Sequence, residues 1–146
     1  MLYTLYQLFG WLFFIVIFPF ACVFLGFSGK HRQGLRQRFG HVEDVQLDED
    51  KPVRIWLHAA SVGEIQVAKA LIPEIKRQLP EASIVVSTGN RHGLAVASQL
   101  LPEDVPCFFA PLDLIGIVNR TLKTIRPTIY VCLETELWPN IIRQTQ

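Results

Sequence analysis

Four short apolar runs start at residues 53, 83, 105 and 128, and between successive runs the apolar residues recur at helical spacing. No hairpin turn joins one run to the next. Strands that are separated by helices read as consecutive βαβ units with a parallel sheet. The runs are apolar nearly throughout, as strands become when helices cover both faces of a sheet. The expectation is therefore strands over 53–58, 83–87, 105–109 and 128–133, with helices over 64–79, 93–101 and 112–125. Ala68, Leu71, Ile72, Ile75 and Leu79 share one face of the first of these helices. Pro73 lies inside it and is expected to kink it or split off its first turn. Pro102 and Pro127 stop the other two. A last helix-like segment over 138–146 has no strand after it, so the domain reads as cut short.

The amino terminus is of another kind. The first 29 residues carry no charged side chain, and 8–27 is a run of 20 residues interrupted only by Gly10, Pro19 and Gly26. At about 1.5 Å per residue such a helix reaches roughly 30 Å, the hydrocarbon thickness of a bilayer. Trp11 stands near one end, where an indole sits well among headgroups. Lys30, Arg32, Arg36 and Arg38 all follow the run, which by the positive-inside tendency places the rest of the chain in the cytoplasm. A cleavable signal peptide would need a basic segment before the apolar run, and none is present. The reading is a membrane anchor helix over 1–29, a basic arm and acidic linker over 30–51, and a Rossmann-like domain over 52–146. Because of Pro19, shallow insertion into one leaflet stays open beside a full span. A net charge of +1 gives no ground for nucleic-acid binding. Cys22, Cys107 and Cys132 have no CxxC spacing and read as small buried apolar groups in a reducing compartment.

In open parallel sheets ligands bind at the carboxyl ends of the strands. Two carboxylates stand there. Glu64 closes the sequence His58-Ala59-Ala60-Ser61-Val62-Gly63-Glu64 after the first strand, and Glu134 opens Glu134-Thr135-Glu136-Leu137-Trp138-Pro139-Asn140 after the fourth. A carboxylate in the first turn of a helix is favoured by the helix's free N–H groups and can accept a proton from an attacking hydroxyl. The same residue in the same place also serves simply as a cap. Glu134 has two readings as well, a second catalytic carboxylate or an acidic helix start. Ser61 and Gly63 stand in the turn before Glu64, where a glycine lets a ligand approach closely. Ser87 and Thr88 open a polar turn at the second strand's end, able to meet a sugar or phosphate or to cap the next helix. His58 ends the first strand as a candidate buried imidazole. Neither it nor His92 has a ligand-spaced partner, so no metal site is expected. The phosphate-binding glycine motifs of dinucleotide and P-loop folds are absent.

These features taken together resemble the 3-deoxy-D-manno-octulosonic acid (Kdo) transferase family. The residues that carry the resemblance are the apolar start, the basic arm, His-Ala-Ala-Ser-Val-Gly-Glu, Ser-Thr-Gly, Phe-Ala-Pro-Leu-Asp at 109–113 and Glu-Thr-Glu-Leu-Trp-Pro-Asn. The resemblance implies the amino-terminal, acceptor-side half of a glycosyltransferase B fold at the cytoplasmic face of the bacterial inner membrane. It implies an inverting transferase that uses no metal or cofactor. The reaction moves Kdo from its cytidine monophosphate conjugate (CMP-Kdo) to a lipid A precursor in lipopolysaccharide synthesis. It makes Glu64 the general base and Glu134 a support for the transition state; Ser61, Gly63, Ser87 and Thr88 are the substrate-binding residues read from the strand-end turns themselves. Family members continue into a second domain that carries most of the donor site, so this chain alone is expected to be inactive. The competing expectation is a membrane-tethered sugar or nucleotide binding module without catalysis.

Overall fold

The structure, a computed structural model, describes residues 2–26, 32–48, 50–134, 136 and 138–145. The side chains of residues 2, 18, 20–26, 32 and 33 lie outside that description. So do Lys30 of the basic arm, Glu49 of the acidic stretch, and Thr135 and Leu137 of the last motif. The elements in chain order are α1 (Leu2–Gly26), α2 (Arg32–Arg38), β1 (Val53–His58), α3 (Val62–Gln78), β2 (Ala82–Thr88) and α4 (Arg91–Leu100). After them come β3 (Cys107–Phe109), α5 (Ile115–Ile125), β4 (Ile129–Cys132) and α6 (Pro139–Gln144).

The expected α/β fold is present. The four strands form one sheet in the order β3-β2-β1-β4, and every neighbouring pair is parallel. Strand residues alternate between faces, and here both faces are apolar. Ile55, Leu57, Ile84 and Val86 pack on one side with Ile65, Ala68, Ile72 and Ala97 of α3 and α4. Trp56, Val85 and Phe108 pack on the other with Val118, Ile125 and Ile141 of α5 and α6. Two residues before β1, Val42 and Val45, belong to that second cluster, so part of the polar 30–51 stretch is built into the core. Arg54 of β1 is buried and ties that stretch to the sheet, donating to the carbonyls of Ile125 (2.6 Å) and Asp48 (2.9 Å).

α3 runs unbroken from Val62 to Gln78 with Pro73 inside it, so the expected split is absent. Proline removes one intrahelical N–H bond, but Ile65, Ala68 and Ile72 bury the preceding turns and hold them against the sheet. The buried face is shorter than the periodicity implied, since Leu79 is exposed.

A membrane-crossing anchor is not supported. Among the described residues no helix is long and apolar enough to cross a membrane. The first two turns of α1 carry Tyr3, Thr4, Tyr6 and Gln7, and three of these bond to the α/β body. Tyr3 donates to Asn140 Oδ1 (2.8 Å), Tyr6 to Asp113 Oδ2 (2.7 Å), and Gln7 to Asn140 Oδ1. Arg143 of α6 lies over the Tyr3 ring, 4.3 Å from its centroid. α1 is thus two-faced: one face docks, and Leu8, Phe9, Leu12, Phe13, Ile15 and Val16 are exposed on the rest.

Asp113 is the residue on which this docking converges. Besides Tyr6, its carboxylate accepts from the amides of Asn140 and Ile141 (3.0 Å each), the opening N–H groups of α6. Its carbonyl accepts from Asn140 Nδ2 (2.5 Å). Removing a buried acceptor strands its donors, which costs more than the bonds themselves. Asp113→Ala is expected to lower unfolding free energy by about 3 kcal/mol, measured by denaturant unfolding. A loss below about 0.5 kcal/mol would mean that these contacts do not form in solution.

Candidate active site

The carboxyl ends of β2, β1 and β4 lie side by side, with β1 in the middle. Glu64 sits in the first turn of α3 and is 2% exposed. Ser61 is the N-cap, its hydroxyl accepting from the Glu64 amide (3.3 Å). The Glu64 carboxylate reaches back, Oε2 accepting from the Ala60 amide (2.8 Å) and Oε1 from the Ser61 amide (3.0 Å). This is a complete capping box, and both carboxylate oxygens are engaged within the chain. Gly63 is exposed, and a Cβ there would meet only Ser61 Oγ at 3.8 Å. The fold does not itself demand glycine at that position.

Ser87 and Thr88 are fully buried. Ser87 Oγ accepts from the Trp56 indole N–H (2.8 Å) and contacts His58 Nδ1 (2.9 Å). Thr88 Oγ1 has no hydrogen-bond partner and lies against Gly93 of α4. The turn after β2 caps α4 through Asn90, which accepts from the Gly93 amide (2.8 Å). Asn90 Nδ2 also donates to the Ala60 carbonyl (3.3 Å), joining this turn to the loop that holds Glu64.

His58, 1% exposed, is the centre of a polar chain. The Trp56 indole can only donate, so it occupies one lone pair of Ser87, and we assign the hydroxyl proton to the bond with His58 Nδ1. That assignment puts the imidazole proton on Nε2, which faces Glu136 Oε2 at 3.4 Å. Glu136 Oε2 accepts from the Trp138 indole as well (3.1 Å), and the Trp138 ring stands edge-on to His58. Glu134 is exposed, and its carboxylate has no hydrogen bond or ion pair among the described residues. Its backbone carbonyl accepts from the Cys132 thiol (3.0 Å). Cys107 is half-buried, and burial pushes its thiol up to about 12, in keeping with a small apolar role. Among the described residues no group of His, Cys, Asp and Glu side chains is arranged to hold a metal ion.

The structure therefore gathers Ser61, Gly63, Glu64, Ser87 and Thr88 around the ends of β1 and β2, with Glu134 past β4. It adds Glu136, Trp138 and Trp56, to which sequence reasoning gave no binding role. His58 and Ser87 pair across β1 and β2 in register, and only the three-dimensional register brings Trp56, His58 and Glu136 to one hydroxyl and one carboxylate.

Burial is the largest influence on His58 and pushes its titration below the ordinary imidazole value of 6.5, against the upward pull of Glu136 and Glu64. A depressed folded-state value means that the unfolded chain takes up the proton first as pH falls. This contribution to stability is full above about pH 6.5 and is lost as pH drops below it. His58→Gln is expected to flatten the fall in stability between about pH 7.5 and 5.5, measured by denaturant midpoints across that range. An unchanged pH slope would refute a neutral buried imidazole.

Residues 33–146 match the family described as 3-deoxy-D-manno-octulosonic-acid transferase (kdotransferase). The 3-deoxy-D-manno-octulosonic acid transferase of Haemophilus influenzae is 32% identical over 130 residues, which cover 86% of this chain and 30% of that protein. The protein of the same name from Chlamydia muridarum is 30% identical over 117 residues, covering 80% of this chain and 27% of its own. That from Rickettsia bellii is 30% identical over 116 residues, covering 80% and 24%. No solved structure matches. The chain thus spans less than a third of the length of these relatives. It belongs to the 3-deoxy-D-manno-octulosonic acid transferase family, as an amino-terminal part.

Proposed function

We propose that this chain is the acceptor-binding part of an inverting, metal-independent glycosyltransferase that moves Kdo from CMP-Kdo to a lipid A precursor. The observation that carries the reading is the family match over 33–146, which takes in both carboxylates at the sheet's carboxyl edge. In this reading Glu64 takes the proton from the acceptor hydroxyl, and Glu134, exposed and uncommitted, supports charge in the transition state. To act as base, Glu64 leaves its cap, giving up the Ala60 and Ser61 amides. Such an exchange costs about 1 kcal/mol, small beside the 10²–10⁴-fold that general base catalysis supplies. Most of the donor site lies in the remainder of the protein.

One observation favours a second reading, binding without catalysis: the Glu64 carboxylate is enclosed by its own loop. A transfer assay separates the two. Joined to the carboxyl-terminal remainder of a family member, Glu64→Ala is expected to lower kcat by about 10²-fold or more. Ile72→Val, with a comparable loss of stability, should keep near-normal turnover. Near-normal turnover by Glu64→Ala would remove the base and leave Glu64 as a cap.

The inner-membrane location takes a specific form here. α1 meets the bilayer from one side, lying on it with Leu8, Phe9, Leu12 and Phe13 in the interface while Tyr3, Tyr6 and Gln7 hold the domain. That arrangement keeps the site near a lipid-borne acceptor and raises its effective concentration. Paired Phe9→Glu and Phe13→Glu substitutions are expected to release the chain from anionic liposomes in flotation. Continued flotation would refute surface attachment through this face.

A further inference from the structure

On the β3 side of the sheet, away from β4, α2 and α4 line a half-open cavity of about 860 Å³. That volume suits a ligand of small-molecule size. Leu35, Leu94, Leu101, Val105 and Phe109 give it apolar walls, and Arg38 and Arg91 bring two cations to it. The cavity depends on the close approach of α2 to β3. A Cβ at Gly34 would stand 2.9 Å from the Phe109 ring, so a side chain there would displace that ring.

Arg38 is the unusual group. It is half-buried, and burial lowers its affinity for its proton. Nη2 donates to the Gly89 carbonyl (2.5 Å), and the guanidinium lies over the Phe109 ring at 5.0 Å. Its other N–H donors meet no acceptor among the described residues, and no carboxylate there pairs with it. Arg91 is exposed at the start of α4 and also has no ion-pair partner among them. Glu103 on the cavity wall pairs with neither. A guanidinium withdrawn from water without a counter-charge is costly. Its planar fork fits an anion with two oxygens, above all a phosphate.

We propose that this cavity binds a phosphomonoester that carries an acyl chain, with Arg38 on the phosphate, Arg91 as the second cation and the apolar walls on the chain. A nucleotide is disfavoured, because Phe109, the one aromatic ring in the wall among the described residues, is already covered by Arg38. The cavity also adjoins the candidate active site. Gly89, held by Arg38, is close enough to Ala60 that a Cβ would come within 3.2 Å of the Ala60 carbonyl. Ala60 in turn donates to Glu64. A phosphate at Arg38 therefore lies one residue, Gly89, from the loop that holds Glu64. The inference rests on the acceptor reading above for the identity of the natural ligand, but its test needs no transfer.

The 146-residue chain is titrated with dioctanoyl phosphatidic acid below its micelle concentration, with dioctanoylglycerol, and with inorganic phosphate. Phosphatidic acid is expected to bind about tenfold or more tightly than either of the others. Dioctanoylglycerol controls for lipid held on the apolar face of α1. Arg38→Ala should weaken phosphatidic acid about tenfold or more and leave dioctanoylglycerol unchanged, with Arg38→Lys between. Leu94→Trp, which fills the cavity, should weaken phosphatidic acid but not inorganic phosphate. The last two variants decide the matter if Arg38→Ala does not fold. Equal binding of phosphatidic acid by Arg38→Lys, Leu94→Trp and the parent chain would overturn the proposal, as would inorganic phosphate binding as tightly as phosphatidic acid. Loss of transfer with this binding intact would count against the transferase reading alone.

Discussion

The buried Asp113 carboxylate accepts hydrogen bonds from α1 and from the opening amides of α6, and the outer wall of the candidate site follows from that one group. α6 begins immediately after Trp138, whose indole holds Glu136, and Glu136 meets His58 at the end of β1. A carboxylate suits the position because every side-chain contact it makes is with a donor. An amide would turn its NH₂ toward one of them. Burying the charge is tolerable because its lone pairs are used, and two of the donors are N–H groups at a helix start.

At the inner side of the site, the polar groups of the strand ends are turned on one another. Ser87 serves Trp56 and His58, and Glu64 serves Ala60 and Ser61. Such an edge is stable without a ligand, yet its bonds are exchangeable. If Glu64 leaves the cap, two amides at a helix N-terminus become free, and these are good donors to a ligand's oxygens. The bonds lost by the protein are then replaced by bonds to the ligand. A capping box and the proposed catalytic role are therefore compatible uses of one side chain.

The sheet was legible because its signal is local. Each strand is an apolar run and each crossover a helical period, and β1 falls where the run at 53–58 put it. The capping alternatives weighed for Glu64 and for the turn after β2 were legible too, since caps depend on spacing of three residues. What escaped the sequence was long-range. Val42 and Val45 sit among charged residues, and nothing local marks them as core. Asp113 and Asn140 lie 27 positions apart, and Tyr6 is 107 from Asp113. Hydropathy along the first helix counts apolar residues and ignores which face they are on, so the docking of its first two turns could not be read from it. Its tyrosines and Gln7 reveal their purpose only once their acceptors are in place.

The same limit applies to Arg38, which as sequence is one cation in a basic arm. In the structure its neighbours separate it from the rest, because it bonds a carbonyl and covers a ring where surface arginines reach water. Gly89 stands between Arg38 and Ala60, and the absence of a side chain there lets the two loops touch. Ala60 carries one of the two amides that hold Glu64. Arg38 and the Glu64 cap thus lie on opposite sides of one backbone contact, that between Gly89 and Ala60. The cavity and the Glu64 cap therefore share that contact, the place to look for any coupling between a ligand held at Arg38 and the proposed release of Glu64.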